Sequence, residues 1–344
     1  MRIVHVASFY NLPSENFSAA LRHLGSGYQR AGHEFFLIGP GVTDSRATTP
    51  HGTYITVRTR QTIAGRRSLV PVGFAVQELL EELLPDRLEL SDRLTRRAVS
   101  QWAEAHKTPM VLFGPDAFDP NRSEFPTLPS RMTAVAPGVD LAEFSPLRWS
   151  SQARQDHSAG ADVLLVHVGE LGRRGGPALS VAALKVLRRR GVDARLVLVG
   201  EGELGSRLSR EIELLPVTVP GRFDDPRQLA ILLANADVAL SPGRGHDGIE
   251  GLAALEALAA GTPVVATTNS DAARLLSDGS GELTAATGPA VADGIQRVLA
   301  RRVDERRSEA RARAARFSWR TTVNSLLDLH EFPGLLEPEY QPIR

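Results

Sequence analysis

Apolar positions fall into short runs separated by stretches of helical spacing. Residues 1–7 alternate into a strand, and a turn follows at Asn11-Leu12-Pro13-Ser14. Ser14 or Ser18 then caps a helix in which Phe17, Ala20, Leu21 and Leu24 recur on one face. That helix ends near Ala31-Gly32-His33, and Phe35-Phe36-Leu37-Ile38 reads as a buried strand. Strand, helix and strand in this order form the crossover unit of a parallel sheet. Beyond a polar stretch with a weak strand at 54–57, the spacing predicts helices over 73–84 and 92–106 and a strand at 110–113. Residues 114–131 are proline-rich and without period, so they read as loop.

The second half repeats the alternation more regularly. Apolar runs at 163–168, 195–199, 217–219, 238–240 and 263–266 are separated by helical segments, the first of them at 177–190. Such alternation predicts a doubly wound α/β sheet whose ligand lies beyond the carboxyl ends of the strands. We therefore expect an N-terminal Rossmann-like domain over 1–135, a linker over 136–160, and a C-terminal Rossmann-like domain with terminal helices over 161–344.

Composition narrows the functional classes. Forty basic residues balance forty acidic ones, which argues against a nucleic-acid partner, since that affinity comes from cations neutralising phosphates. Cysteine is absent, which removes thiolate metal sites, disulfides and cysteine nucleophiles. The nine histidines show no metal-ligand spacing, so no protein-held metal and no tightly held cofactor is expected. No run reaches the ~18 apolar residues of a membrane helix, and the first seven residues are too short for a signal peptide, so a cytoplasmic location is expected. Eight arginines crowd residues 297–316, which reads as a solvated helix face, with a membrane-surface patch and peripheral association as the sharper reading.

The most informative segment runs Pro242-Gly243, then Gly251-Leu252-Ala253-Ala254-Leu255-Glu256-Ala257-Leu258-Ala259-Ala260-Gly261-Thr262-Pro263-Val264-Val265. Gly251 and Leu252 offer backbone N–H groups at a helix N-terminus, where the dipole favours an anion. The segment resembles the donor-binding block of retaining glycosyltransferases of family 4, which have the two-Rossmann GT-B fold. The resemblance implies Glu256, a carboxylate at a helix start, as acceptor for the two hydroxyls of a ribose and Gly251 and Leu252 as the diphosphate site. Pro137-Gly138-Val139-Asp140, Val199-Gly200-Glu201-Gly202, Ala236-Asp237-Val238 and Phe317-Ser318-Trp319 extend the resemblance over most of the chain. Leu84-Pro85-Asp86-Arg87-Leu88-Glu89-Leu90-Ser91-Asp92-Arg93 is similar to a stretch of actinobacterial mannosyltransferases that act on lipid-linked acceptors.

The resemblance implies two domains facing a cleft, a nucleotide-sugar substrate (a GDP- or UDP-sugar), a lipid or small-molecule acceptor, and metal-independent, retaining transfer. It also shows where this chain departs. The glutamate that the family uses for the sugar falls at Gly248, leaving Asp247 or Glu250 as substitutes. The arginine and lysine that hold the diphosphate fall at Glu170 and Gly175, leaving Arg173 and Arg174. Losing one such stabiliser typically costs ~100- to 1000-fold in rate. The family's glycine pair after the first strand falls at Glu15-Asn16, its histidine is replaced by Gly114-Pro115-Asp116, and residues 119–133 stand for a longer segment, which abridges the N-terminal domain. Packing residues held and chemistry residues changed leave two alternatives beside a divergent glycosyltransferase. One is an inactive homologue that stabilises a protein partner; the other is a repurposed enzyme with different chemistry.

Overall fold

The computed structural model describes residues 1–7, 15–59, 70–91, 95–113, 134–135, 138–223, 225–243, 249–277 and 279–331, with backbone alone at 15–20, 70–71, 134–135, 206–207, 249–250 and 331. In chain order the elements are β1 (Arg2–Val6), α1 (Glu15–Arg30), β2 (Glu34–Gly41), β3 (Ser45–Thr49), β4 (Gly52–Arg58), α2 (Val70–Leu83), β5 (Arg87–Leu90), α3 (Arg96–His106), β6 (Met110–Phe113) and β7 (Ala134–Val135). There follow α4 (Ser151–Ser158), β8 (Val163–Val168), α5 (Pro177–Arg189), β9 (Ala194–Val199), α6 (Ser206–Ile212), β10 (Val217–Gly221) and α7 (Pro226–Asn235). The chain closes with β11 (Val238–Ser241), α8 (Ile249–Ala259), β12 (Val264–Thr267), β13 (Gly281–Thr284), α9 (Gly288–Leu299), α10 (Val303–Ala315) and α11 (Trp319–Glu331).

Contacts divide the chain into two units, Met1–Gly138 with Trp319–Arg344, and Val139–Ser318. The first holds a sheet of order β3-β4-β2-β1-β5-β6-β7, parallel except for the β3–β4 hairpin. Its strands are covered on both faces because β1 alternates. Val4 and Val6 join Val76, Leu80 and Trp102 under α2 and α3, while Ile3 and Ala7 join Leu24, Tyr28, Phe35 and Leu326 under α1 and α11. The second holds an all-parallel sheet of order β10-β9-β8-β11-β12-β13, the doubly wound arrangement whose winding reverses between β8 and β11. Both units are Rossmann-like, as the alternation requires.

The boundaries differ from the expected ones in two places. Residues 139–160 carry α4 and a 3-10 turn at Pro146–Arg148 and belong to the second unit. Asn235 at the end of α7 accepts from the Ser150 backbone N–H, so this stretch is packed structure rather than linker. In the other direction α11 belongs to the first unit, because its apolar Val323 and Leu326 lie in that unit's core. The abridgement expected at 119–133 lies outside the described residues; the first sheet still carries seven strands, with β7 parallel to β6.

The arginine-rich stretch is also not a solvated face. Arg302 does pair with Asp304 and Glu305 at the surface. Arg307, however, donates to the carbonyls of Ala234, Ala236 and Ala260, and Arg311 to those of Leu141, Phe144 and Ala259. Arg313 reaches Leu275 and Arg274, and Arg306 reaches Leu299 and Asp237. A helix ends with four carbonyls that lack internal partners. Here guanidinium groups from α10 fill that deficit at the ends of α7 and α8, a position the helix dipole also favours for a cation. The five-donor fork explains why arginine suits these positions.

Candidate functional site

The winding reversal in the second unit makes a site at the carboxyl ends of β8 and β11, where two loops leave in opposite directions. The loop after β8 is held by main-chain bonds to the one after β9: Gly169 N–H donates to Val199 O at 3.0 Å and Leu171 N–H to Glu201 O at 2.8 Å. It then doubles back so tightly that a Cβ on Gly175 falls 1.7 Å from Glu170 O. Gly176 follows in the left-handed region, φ 72°, where a Cβ sits 3.1 Å from the Cα and N of Gly243. The loops after β8 and β11 therefore touch backbone to backbone, which side chains at these positions forbid.

This geometry explains one departure from the family pattern. A lysine at position 175 cannot be accommodated by the present loop path, so Gly175 is part of a different loop conformation and not a plain truncation. Glu170 is exposed on that loop, with its carboxylate over Gly172, and Arg173 and Arg174 are exposed on the turn between them. Neither arginine has an ion-pair or hydrogen-bond partner among the described residues. Their charge is available at the rim of the site.

Across the site stands α8. Gly251 and Leu252 are buried in its first turn, whose N–H groups have no acceptor within the helix. Glu256 lies two turns into the helix rather than at its start. It is 4% exposed, and its Oε2 has no hydrogen-bond partner among the described residues. Burial pushes its pKa up from the usual carboxylate range to about 8. A buried polar atom without a partner costs roughly 1–3 kcal/mol, so such an atom is expected to be completed by a ligand. Asp247 lies outside the described residues, as does Gly248, and the side chain of Glu250 is also outside them. The same holds for the side chains of Glu15 and Asn16 and for 114–116.

Several residues that the sequence did not single out support this end of the sheet. Thr267 Oγ1 donates to Pro242 O at 3.2 Å, and Ser241 and Ser270 share a hydroxyl bond at 3.0 Å. These fix the start of the loop that leads to α8. His167, next to last in β8, bonds Ser180 of α5 at 3.0 Å, and burial lowers its pKa to about 4, so it stays neutral at physiological pH. Hydroxyls and a lone histidine inside apolar strands carry no distinctive sequence signal. Among the described residues no group of three acidic, histidine or cysteine side chains could hold a metal.

The family model described as glycosyl transferases group 1 matches residues 162–301, which span both sides of the site. The chain is 35% identical to the GDP-mannose-dependent alpha-(1-6)-phosphatidylinositol dimannoside mannosyltransferase of Mycobacterium tuberculosis, over 95% of each chain. Among solved structures, sucrose-phosphate synthase from Thermosynechococcus elongatus superposes with a TM-score of 0.74 at 18% identity, over 96% of this chain and 98% of that one. Anabaena HepE in complex with UDP and glucose superposes at 0.72 and 16% identity, over 98% of this chain and 100% of that one. These likenesses show the GT-B fold. With near-complete coverage by a relative of this identity, the chain belongs to the group 1 (family 4) glycosyltransferases.

Proposed function

We propose that the chain transfers a hexose from a nucleoside diphosphate sugar, with GDP-mannose the first candidate, to a phosphoinositol-bearing lipid acceptor. The observation that carries this is Glu256: a buried carboxyl group whose Oε2 has no partner among the described residues, two turns into the helix that begins beside the β8–β11 reversal. A ribose diol offers two hydroxyl donors, which such a carboxylate lacks. The first-turn N–H groups of Gly251 and Leu252 suit the diphosphate. Arg173 and Arg174 are the cations placed to meet the negative charge that grows on the diphosphate as the sugar C1–O bond breaks. Asp247 and Glu250 are the candidates for the sugar hydroxyls. The acceptor class follows from the mycobacterial relative, whose name specifies a phosphatidylinositol dimannoside. Transfer is proposed to retain anomeric configuration and to proceed in the presence of a chelator, as the family resemblance implies.

A second reading has its own observation. Glu170 places a carboxylate where the family has a cation, and the loop path at Gly175 leaves no room for another. An inactive homologue that stabilises a protein partner fits that loop.

The deciding experiment incubates purified protein with GDP-mannose, UDP-glucose or other sugar nucleotides and vesicles containing phosphatidylinositol mannosides, with products read by mass spectrometry. A hexosylated lipid formed by the native chain and not by Glu256→Gln supports the first reading. No product from any donor, together with no thermal shift from any nucleotide, supports the second. Because no helix among the described residues is long and apolar enough to cross a membrane, access to such a lipid is proposed to be peripheral.

A further inference from the structure

We propose that the first unit carries a second binding site, for a phosphate group, at the amino ends of its strands. A cavity of about 530 Å³ there is lined by His23, Ser26, Gln29, Arg30, Pro50 and His51. Its place follows from the topology. Residues 23–30 form the second half of α1, which runs back towards the strand starts, and His51 immediately precedes β4, parallel to β2. It therefore lies at the opposite end of the first sheet from the carboxyl ends where Rossmann ligands bind.

The lining chemistry is one-sided. Three of the six residues, His23, Arg30 and His51, carry or can take positive charge, and among the described residues no carboxylate lines the cavity. His51 Nδ1 and Ser26 Oγ are 2.6 Å apart. With the serine hydroxyl donating, the ring proton sits on Nε2, which has no other partner among the described residues. Arg30 donates through Nε to Ser26 O at 3.1 Å, which folds its guanidinium back along α1 and leaves its two terminal nitrogens unpaired among the described residues. That bond also covers a carbonyl in the last turns of α1, whose negative dipole end otherwise opposes an anion.

The walls are fixed before any ligand arrives. His23 is stacked on Trp319, 5.6 Å between ring centres and 7° between planes. Thr49 Oγ1 accepts from His51 N–H at 3.1 Å and donates to Gly52 O at 3.0 Å, while the Gln29 amide bridges Pro50 O and Gly52 N–H. A preorganised arrangement of imidazole N–H and guanidinium donors, without a competing carboxylate, is the chemistry that recognises a phosphate monoester or diester. Two sources present that group: a phospholipid headgroup and a free phosphate.

The test measures binding of inorganic phosphate by calorimetry, and of phosphatidylcholine vesicles with and without phosphatidylinositol by flotation. Native protein is compared with Arg30→Gln and His51→Gln, each with saturating GDP present or absent. The site predicts binding that persists under GDP and weakens roughly tenfold in each variant, the size of one charge-assisted hydrogen bond. Binding of inorganic phosphate on its own identifies a free anion as ligand, and binding only to phosphatidylinositol vesicles identifies a headgroup. Binding that GDP displaces, or that both variants retain unchanged, or that appears with neither probe, overturns the proposal. Arg30 is exposed and glutamine at 51 keeps a side chain able to bond Ser26, so both variants retain the fold.

Discussion

Glu89 Oε1 accepts a hydrogen bond from His330 Nε2 at 2.9 Å, joining residues 241 positions apart in the chain. The other oxygen accepts from His5 Nδ1, also at 2.9 Å, and the Tyr28 hydroxyl donates to the first. Glu89, His5 and His330 are each 0% exposed. His5 and Glu89 face each other across β1 and β5, at the winding reversal of the first sheet, and His330 comes from α11. Burial by itself raises the Glu89 pKa. The hydrogen bonds and positive charge of His330 and His5 outweigh it and bring the value down to about 2. The last described helix is thus fastened to the first sheet by a buried carboxylate.

Replacing that carboxylate breaks the fastening. Glu89→Gln removes the charge and leaves a single acceptor oxygen for two histidines and a tyrosine, and it is expected to cost about 3–5 kcal/mol, the usual range for breaking a buried pair. Chemical denaturation of the variant measures this. Faster amide exchange confined to α11 and β1–β5 is the accompanying signature, and a variant as stable as the native chain contradicts it.

The pH dependence of the same group follows from its shift. A carboxyl group near 2 in the folded state and 4.5 in the unfolded one binds fewer protons when folded, so its contribution is complete above about pH 4.5. It is lost as pH falls from there towards 2. Unfolding followed between pH 5 and pH 2 is expected to show a stability decline that is shallower in Glu89→Gln.

The inward arginines of α10 make a separate prediction. Arg311→Lys keeps the charge but not the fork that serves three carbonyls, and Arg307→Lys likewise. Each is expected to destabilise by about 1–3 kcal/mol, the cost of carbonyls left without donors. Arg302→Lys, at a solvent-facing pair, is expected to leave the unfolding midpoint unchanged. Equal effects at all three positions contradict the clamp.

Restoring the family's residue at position 175 is expected to fail. In Gly175→Lys the first side-chain carbon meets Glu170 O, so the loop must rebuild and its contact with Gly243 is lost. Thermal unfolding is expected to shift downward with no gain in nucleotide affinity. A gain in affinity at unchanged stability shows instead that the loop adopts the family's path readily.

The sequence made the doubly wound architecture legible because buried parallel strands are apolar runs that helical spacing separates. It hid β5, a four-residue strand in which the charged Arg87 and Glu89 alternate with leucines. It hid β3, whose five residues Ser45–Thr49 are polar or small and lie mainly exposed at the sheet edge. The arginines of α10 also misled, since periodicity cannot tell a charge facing water from one facing a helix's last carbonyls. Around the candidate site, the sequence predicts a helix carrying Gly251, Leu252 and Glu256, and α8 covers all three. The path of the loop at 169–176 was not legible, because it depends on backbone contacts with Gly243 and Glu201 that no local pattern records.

The proposed nucleotide site turns on the buried Glu256 carboxyl group. With a pKa of about 8 it is mostly protonated at pH 7 in the free protein. Being raised above its unfolded value, it also makes folding stability fall as pH rises from about 4.5 to 8, a slope absent in Glu256→Gln. Accepting two ribose hydroxyls favours the charged form, so binding must release a proton. Calorimetry of GDP binding at pH 7, in two buffers of different ionisation enthalpy, measures that proton directly. Release of a substantial fraction of one proton by the native chain is expected, with binding lost in Glu256→Gln. Binding without proton release, or binding that the variant retains, contradicts it.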